Sequence, residues 1–254
     1  MAGPRRIVAI AAIRVALLAV LLGGWEALGR ASGGFFLPPF TVTVSHLLAL
    51  SADGTLGAAL LASNLALVIG FPIAAALAIP IGFALGRRRL LDRSFSYWLD
   101  LLLVIPMIAV IPAIIVALGL GLSARVAVVV LFALPLLGLN ARAAVRVIDQ
   151  RLAEMARSFG APQARVWTAV IIPAALPTLF VGLRQGLGRA ISGMIVVELT
   201  LVPAGIGGLI VTYRSRFAAA DLYAATLVIL LEAILLMSLA QLVERRVQRR
   251  LAGA

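Results

Sequence analysis

Long runs of apolar residues without a single charge constrain this chain more than any other feature. Neither residues 56–86 nor residues 101–124 contain an Asp, Glu, Lys or Arg. A helix needs about 20 mostly apolar residues to cross the hydrocarbon core of a bilayer. Hydrophobic residues make up 63% of the chain and charged residues 13%, with a mean hydropathy of +1.13. A soluble domain of 254 residues has too little interior for this much apolar surface, so we expect a membrane protein.

The hydropathy pattern predicts an all-α polytopic bundle of six transmembrane helices. The predicted spans are residues 7–28, 60–85, 101–124, 126–141, 175–199 and 222–243. The fourth span is short, and Arg125 and Arg142 at its ends are expected to extend to the membrane surface. Residues 41–48, in the loop after the first span, predict a short interfacial helix. Two glycine pairs at helical spacing permit close helix packing: Gly82 with Gly86, and Gly182 with Gly186.

The positions of the basic residues predict the orientation of the spans. All 22 basic residues are Arg. With the N-terminus in the cytoplasm, 15 of them fall in cytoplasmic segments, 4 in external segments and 3 within spans. Because cytoplasmic loops carry the excess of basic residues, we expect both termini inside and a first helix that is retained rather than cleaved. This topology accounts for the net charge of +12 without nucleic-acid binding.

Residue types typical of enzymes are scarce. The chain has no Cys and a single His, His46, which lies in a predicted external loop and is expected to be solvated. The phosphate-binding pattern GxxxxGK[ST] requires a Lys, and the chain has none. The ten acidic residues are scattered, without a paired motif. We therefore expect no catalytic residues, no metal site and no cofactor bound by this chain itself.

The most informative segment is the loop between the fourth and fifth predicted spans. Its apolar side chains at spacing i, i+3, i+4 and i+7 predict one face of a short helix: Leu152, Met155, Ala156 and Phe159. Gly160 is suited to end that helix, and Pro162 to begin a second one. A helix this short is marginal alone. Its apolar face therefore needs a groove, either in its own bundle, among lipid headgroups or on a soluble partner.

The spacing of residues within this loop matches a known pattern. Glu154, Met155 and Ala156 are followed after three residues by Gly160, and further on come Val170, Ile172 and Pro173. This resembles the cytoplasmic EAA loop of membrane subunits of binding-protein-dependent ABC importers, in which Glu-Ala-Ala, three residues and Gly precede nine residues, Ile, one residue and Leu-Pro. The chain departs from that pattern at Met155, Val170 and Ile172, each an apolar residue in place of another.

Segments elsewhere in the chain extend the resemblance. They are Phe36-Leu37-Pro38-Pro39, Ile105-Pro106-Met107 with Ile111-Pro112, Ala174-Ala175-Leu176-Pro177, Gly182-Leu183-Arg184 and Val197-Glu198. These segments are similar to the entry of the second span, the proline-rich third span and the fifth span of the nitrate/sulfonate/taurine subgroup. The resemblance covers residues from about 37 to about 246. It implies the six-helix fold of a type I importer permease, residues 1–254 forming one transmembrane domain. Residues 1–36 are then the N-terminal helix and the start of the external loop, and 37–246 the core unit with the coupling loop 146–174.

The family supplies expectations that composition alone does not. The resemblance implies a bacterial inner-membrane permease that acts as a dimer, here two copies of the same chain. Separate ATPase subunits, which bind ATP and Mg, would dock on the cytoplasmic loops, and an external solute-binding protein would deliver the substrate. Closure of the ATPase dimer would move the coupling helices and switch the spans between inward- and outward-facing states. The residues implied in this coupling are Leu152, Glu154, Met155, Ala156, Phe159, Gly160, Val170, Ile172 and Pro173.

Charged and kinked positions within the spans are candidates for the translocation pathway. We expect these to include Pro106, Met107, Pro112, Arg184 and Glu198. Arg184 facing the pore would suit a small organic or inorganic anion of the nitrate/sulfonate/taurine type. A structural role for the intramembrane charges is the alternative, for example an ion pair between Arg189 and Glu232. An aromatic acid or a vitamin precursor is an alternative substrate, and an ion-driven secondary transporter or channel is the alternative function.

Overall fold

The computed structural model describes residues 4–200 and 202–252, which form eleven α-helices and no strand. The helices are α1 (Pro4–Ala31), α2 (Phe40–Ala52), α3 (Thr55–Arg87), α4 (Arg89–Val104), α5 (Met107–Leu118), α6 (Leu122–Arg146), α7 (Gln150–Ser158), α8 (Gln163–Val166), α9 (Ile172–Thr200), α10 (Gly205–Ser215) and α11 (Ala219–Ala252). A π-helical turn, Trp167–Ile171, joins α8 to α9. The all-α prediction is confirmed.

Five stretches are long and apolar enough to cross a membrane, and they contain α1, α3, α6, α9 and α11. The third predicted span, residues 101–124, is wrong as a continuous helix. Its first part belongs to α4 and its second to α5, and the two helices are bent by 97°. Pro106 lacks an amide hydrogen, and Ile105 before it takes φ −58° and ψ 127°, the extended conformation that proline imposes on its neighbour. Six spans result only when α4 and α5 count together as one broken span.

The centre of the bundle is α6, packed between α3 and α9. Glycines allow the α3 backbone to approach α6 closely on one side, and the α9 backbone to approach it closely on the other. A Cβ added at Gly82 of α3 would lie 2.6 Å from the Ala141 Cβ of α6, and one added at Gly86 would lie 2.7 Å from the Arg142 carbonyl oxygen. On the other side, a Cβ at Gly186 of α9 would lie 2.5 Å from Leu137. The predicted close packing at these glycines is confirmed.

Two short helices lie at the end of the bundle that the topology prediction places outside. α2 confirms the helix predicted at residues 41–48 and extends it to Phe40–Ala52. It packs on α11, where the Nδ1 atom of His46 lies 2.6 Å from the Asp221 carboxylate. The prediction of a simply solvated His46 is therefore wrong. The second short helix, α10, is absent from the sequence-based prediction.

The contacts described for the N-terminal helix α1 lie at this same end of the bundle. The Trp25 indole Nε1 donates to the Pro38 carbonyl oxygen at 3.0 Å. The Glu26 carboxylate accepts from the backbone N–H of Thr41 at 2.9 Å and so caps the first turn of α2. By contrast, the large apolar side chains of α1 between Val8 and Leu22 are exposed, as expected for a helix surrounded by lipid. The division of the chain near residue 36 stays a prediction.

Candidate functional site

The loop between α6 and α9 folds into the helix–turn–helix that its sequence predicts. The Asp149 side chain begins α7 by accepting from the backbone N–H of Arg151 at 2.9 Å. Gly160 follows the helix with φ +76°, a left-handed conformation that glycine adopts without strain. Its N–H donates to the Arg157 carbonyl at 2.8 Å, and that of Ala161 to the Ala156 carbonyl at 3.1 Å. These two bonds form a Schellman motif, which fixes the end of α7.

The buried side of α7 differs from the predicted apolar stripe. Ala153, which is not part of the stripe, packs with Val166 and Ile171 in a small core beneath the loop. Ala156 joins this core as a half-buried residue. The small core therefore comes from the loop's own second helix and π turn, and it holds α7 in place without using the larger apolar residues.

Three large apolar side chains of α7 and its cap project away from that core. Leu152 is 42% exposed, Met155 55% and Phe159 85%. We call these three residues the coupling surface. Glu154 beside them is also exposed. The remaining motif residues lie at the junction with α9, where Ile172 is exposed and Val170 and Pro173 are half-buried.

Ion pairs connect the bundle next to this loop. The Asp92 carboxylate at the start of α4 is buried, and Arg142 Nε donates to it at 2.5 Å. Arg146 donates to its other oxygen. Both arginines lie in the last turns of α6, so the pair ties α4 to the helix that leads into α7. The expectation that Arg142 extends freely to the membrane surface is therefore wrong.

A buried polar cluster lies at the opposite end of the bundle, between α3, α6, α9 and α10. Glu198 is only 1% exposed. Its carboxylate accepts from the Ser63 hydroxyl at 2.8 Å and from the backbone N–H of Gly207 at 3.1 Å. The same hydroxyl accepts from the N–H of Ile206 at 3.0 Å. Glu198 and Ser63 together thus satisfy the free amides at the beginning of α10.

Arg125 of α6 completes this cluster. It is 9% exposed, and its Nη1 donates to the Ala62 carbonyl at 2.9 Å and lies 3.4 Å from Glu198 Oε1. Its Nε is buried without a hydrogen-bond partner among the described residues. The prediction that Arg125 extends to the membrane surface is wrong, because α6 begins at Leu122 and carries this residue into the bundle.

The remaining candidate pathway residues are scattered over the bundle. Pro106 and Met107 lie at the α4–α5 bend, and Pro112 lies within α5 and is exposed. Arg184 Nε donates to Glu244 of α11 at 2.7 Å. The suggested ion pair between Arg189 and Glu232 is not present, since Glu232 accepts instead from the Asn64 side chain. Among the described residues no three metal-binding side chains come together.

The sequence matches the family described as "Binding-protein-dependent transport system inner membrane component" over residues 70–252. The chain belongs to this family. It is therefore an inner-membrane permease subunit of an ABC importer, as the EAA-like loop predicted.

Relatives and a solved structure agree with this assignment. The taurine transport system permease protein TauC of Escherichia coli is 28% identical over 246 residues, covering 94% of this chain and 88% of the relative. The riboflavin transport system permease protein RibX of Chloroflexus aurantiacus is 34% identical over 235 residues, covering 91% and 87%. A chain of the MetNI methionine ABC transporter, solved in inward facing conformations, has a similar fold, with a TM-score of 0.62 at 20% identity, covering 74% of this chain and 92% of that one. The fold is that of a type I ABC importer permease.

Proposed function

We propose that this permease imports a small organic or inorganic anion and is driven by ATP hydrolysis in a separate subunit that docks on the coupling surface. A second copy of the chain completes the translocation unit, and an external solute-binding protein delivers the substrate. The family membership supports an ATP-binding partner, since the chain lacks the Lys that a P-loop requires.

The exposure of the coupling surface is the observation that carries this proposal. A nine-residue helix has little stability of its own, and here its small core already holds it against α8 and the π turn. Leu152, Met155 and Phe159 are not needed for that core. Three large apolar side chains adjoining one another on a polar loop are typical of a site that a partner covers.

The same loop supports the proposed orientation of the chain. The α7 loop lies at the end of the bundle where Asp92 meets two arginines of α6, and Arg87 of α3 lies 6.0 Å from the centroid of the Trp167 ring. This arginine-rich end is the cytoplasmic one by the positive-inside rule. We therefore place both termini, as well as the coupling surface, in the cytoplasm.

The names of the relatives bear on the substrate. One relative is named for taurine, which carries a sulfonate, and another for riboflavin. These names support both the anion and the vitamin-type alternative. An anionic substrate is favoured because the chain has an excess of arginine even within its spans, where a cation is costly unless it has a function or a partner.

Phe159→Asp tests the coupling. Because Phe159 is 85% exposed, the substitution leaves the folded loop intact while placing an unpaired carboxylate in the proposed apolar contact. We expect the affinity for the ATP-binding subunit to fall by about a hundredfold or more, measured by co-purification from detergent. Ser158→Asp, the adjacent exposed position outside the coupling surface, is the control and should retain the partner. Normal assembly and uptake with Phe159→Asp would refute the proposal.

A further inference from the structure

A polar stripe follows one face of α9. Gln185, Arg189 and Ser192 are exposed polar side chains in the middle of this apolar helix, and they are spaced i, i+4 and i+7. That spacing places all three on the same face. Gln185 accepts from the Asn140 side chain of α6 at 3.2 Å, so the stripe begins beside another polar group. Polar side chains at membrane depth face a protein interior or a water-filled space rather than lipid.

The two arginines of α9 differ in their partners. Arg184 is half-buried and bonded to Glu244, so its charge is compensated within the chain. Arg189 is exposed and makes neither a hydrogen bond nor an ion pair with the described residues. Arg189 is thus the arginine of α9 whose positive charge is free to bind an anion.

Arg189 borders a cavity of about 270 Å³ between α9, α6 and the broken span. Met107 and Ile105 from the α4–α5 bend line the same cavity, and so does Pro135 of α6. A break in a helix leaves backbone carbonyls without their usual donors, which is tolerated at membrane depth only beside protein or water. The break and Arg189, the middle residue of the polar stripe, therefore border the same cavity.

We propose that Arg189 binds the anionic group of the transported solute, a sulfonate or carboxylate, in a pathway lined by the α9 polar stripe and the α4–α5 bend. This inference rests on the proposed import of an anion. It replaces Arg184 with Arg189 as the cation of the pathway. Arg189 carries five N–H donors suited to a planar or tetrahedral oxyanion, and an apolar wall lowers the competition from water.

The chain has no Cys, so a single introduced Cys reports accessibility without a background. Ser192 lies about one helical turn from Arg189 on the same stripe. In membranes that contain the assembled transporter, the Ser192→Cys variant should react with two thiol reagents, the anionic sulfonatoethyl-methanethiosulfonate and the cationic trimethylammonioethyl-methanethiosulfonate. The positive charge of Arg189 should make the anionic reagent react about tenfold faster relative to the cationic one. Ile234→Cys is the control: Ile234 is a 62% exposed apolar side chain of α11 that we expect to face lipid, and the introduced Cys should stay unreactive.

Neutralising each arginine in turn identifies the source of that preference. Adding Arg189→Gln to Ser192→Cys should abolish the preference for the anionic reagent, whereas adding Arg184→Gln should retain it. Unreactive Ser192→Cys, or a preference that survives Arg189→Gln, would overturn the proposal. An ion pair between Arg189 and a carboxylate of a second copy of the chain would compensate the charge. Ser192→Cys would then show no anionic preference and Arg189→Gln would weaken the dimer, a result that would also overturn the proposal.

Uptake supplies the second readout. With radiolabelled taurine as the probe, or the ligand of the co-expressed binding protein if taurine is not carried, Arg189→Gln should lower uptake about tenfold or more. Arg189→Lys keeps the positive charge and should retain most of the wild-type uptake. Co-purification of the ATP-binding subunit should be unchanged in both variants, which separates a failure of this inference from a failure of the proposed coupling. Equal uptake by the wild type, Arg189→Gln and Arg189→Lys would refute the proposed binding of the substrate by Arg189.

Discussion

Removing the carboxylate of Glu198 should destabilise the whole bundle. Glu198→Ala leaves Arg125 buried without its counter-charge and removes the acceptor of both the Ser63 hydroxyl and the Gly207 amide. Breaking a buried ion pair by deleting one partner costs about 3–5 kcal/mol. For a chain of this size, each kcal/mol lowers the unfolding midpoint by about 2–4 °C, so we expect a loss of about 10 °C.

The midpoint is measured by heating the detergent-solubilised permease and following the monodisperse fraction by size-exclusion chromatography. Glu198→Gln keeps the volume and one acceptor oxygen, so its midpoint should lie between those of Glu198→Ala and the wild type. The double variant Glu198→Leu with Arg125→Met removes both charges and should recover a large part of the lost stability, because no buried charge is left uncompensated.

Two results would contradict this reasoning. A midpoint for Glu198→Ala within about 2 °C of the wild type would mean that water or lipid headgroups reach the cluster and replace the lost contacts. A double variant no more stable than Glu198→Ala would mean that the two charges do not stabilise each other.

Two glycine substitutions test the local geometry. Gly82→Ala should destabilise the α3–α6 contact by about 1–3 kcal/mol, because its Cβ would lie 2.6 Å from that of Ala141. Gly57→Ala on the same helix has open space and should change the thermal midpoint little. Gly160→Val should weaken ATPase binding, since a β-branched residue resists φ +76° by about 1–2 kcal/mol or more, although its Cβ meets no neighbour. Gly160→Asn tolerates that conformation and should bind the ATPase nearly as well in the same co-purification assay.

Hydropathy was sufficient to predict the spans formed by α1, α3, α6, α9 and α11. It failed at residues 101–124, because apolar content says nothing about helix direction. Pro106 was the one signal of the break, because a proline cannot continue the backbone hydrogen bonds of a helix. The signal was ambiguous, since many continuous membrane spans also contain a proline and bend only slightly. α10 was missed because its eleven residues are too few for a span, and its glycines mark close packing against Glu198 and Pro203 only once the fold is known.

The coupling loop was more predictable than the interior charges. Its helix, glycine cap and second helix follow from local rules, which a single stretch of sequence contains. The Arg125–Glu198 contact joins residues 73 positions apart in the chain, and no local pattern relates them. The sequence signal was only that each charge had to find a partner inside an apolar bundle. Which arginine met which carboxylate depended on how α6 and α9 were packed.

The glycine-lined contacts of α6 have a mechanical consequence. α7 begins four residues after α6 ends, and the π turn leads from the same loop directly into α9. The loop therefore connects α6 and α9, which pack closely along their length. At the opposite end of the bundle, Arg125 of α6 contacts Glu198 of α9. With an ATPase docked as proposed, we expect a push on α7 to tilt α6 and α9 together and so to reach the opposite membrane face. The 97° bend between α4 and α5 is where we expect the bundle to flex during that tilt.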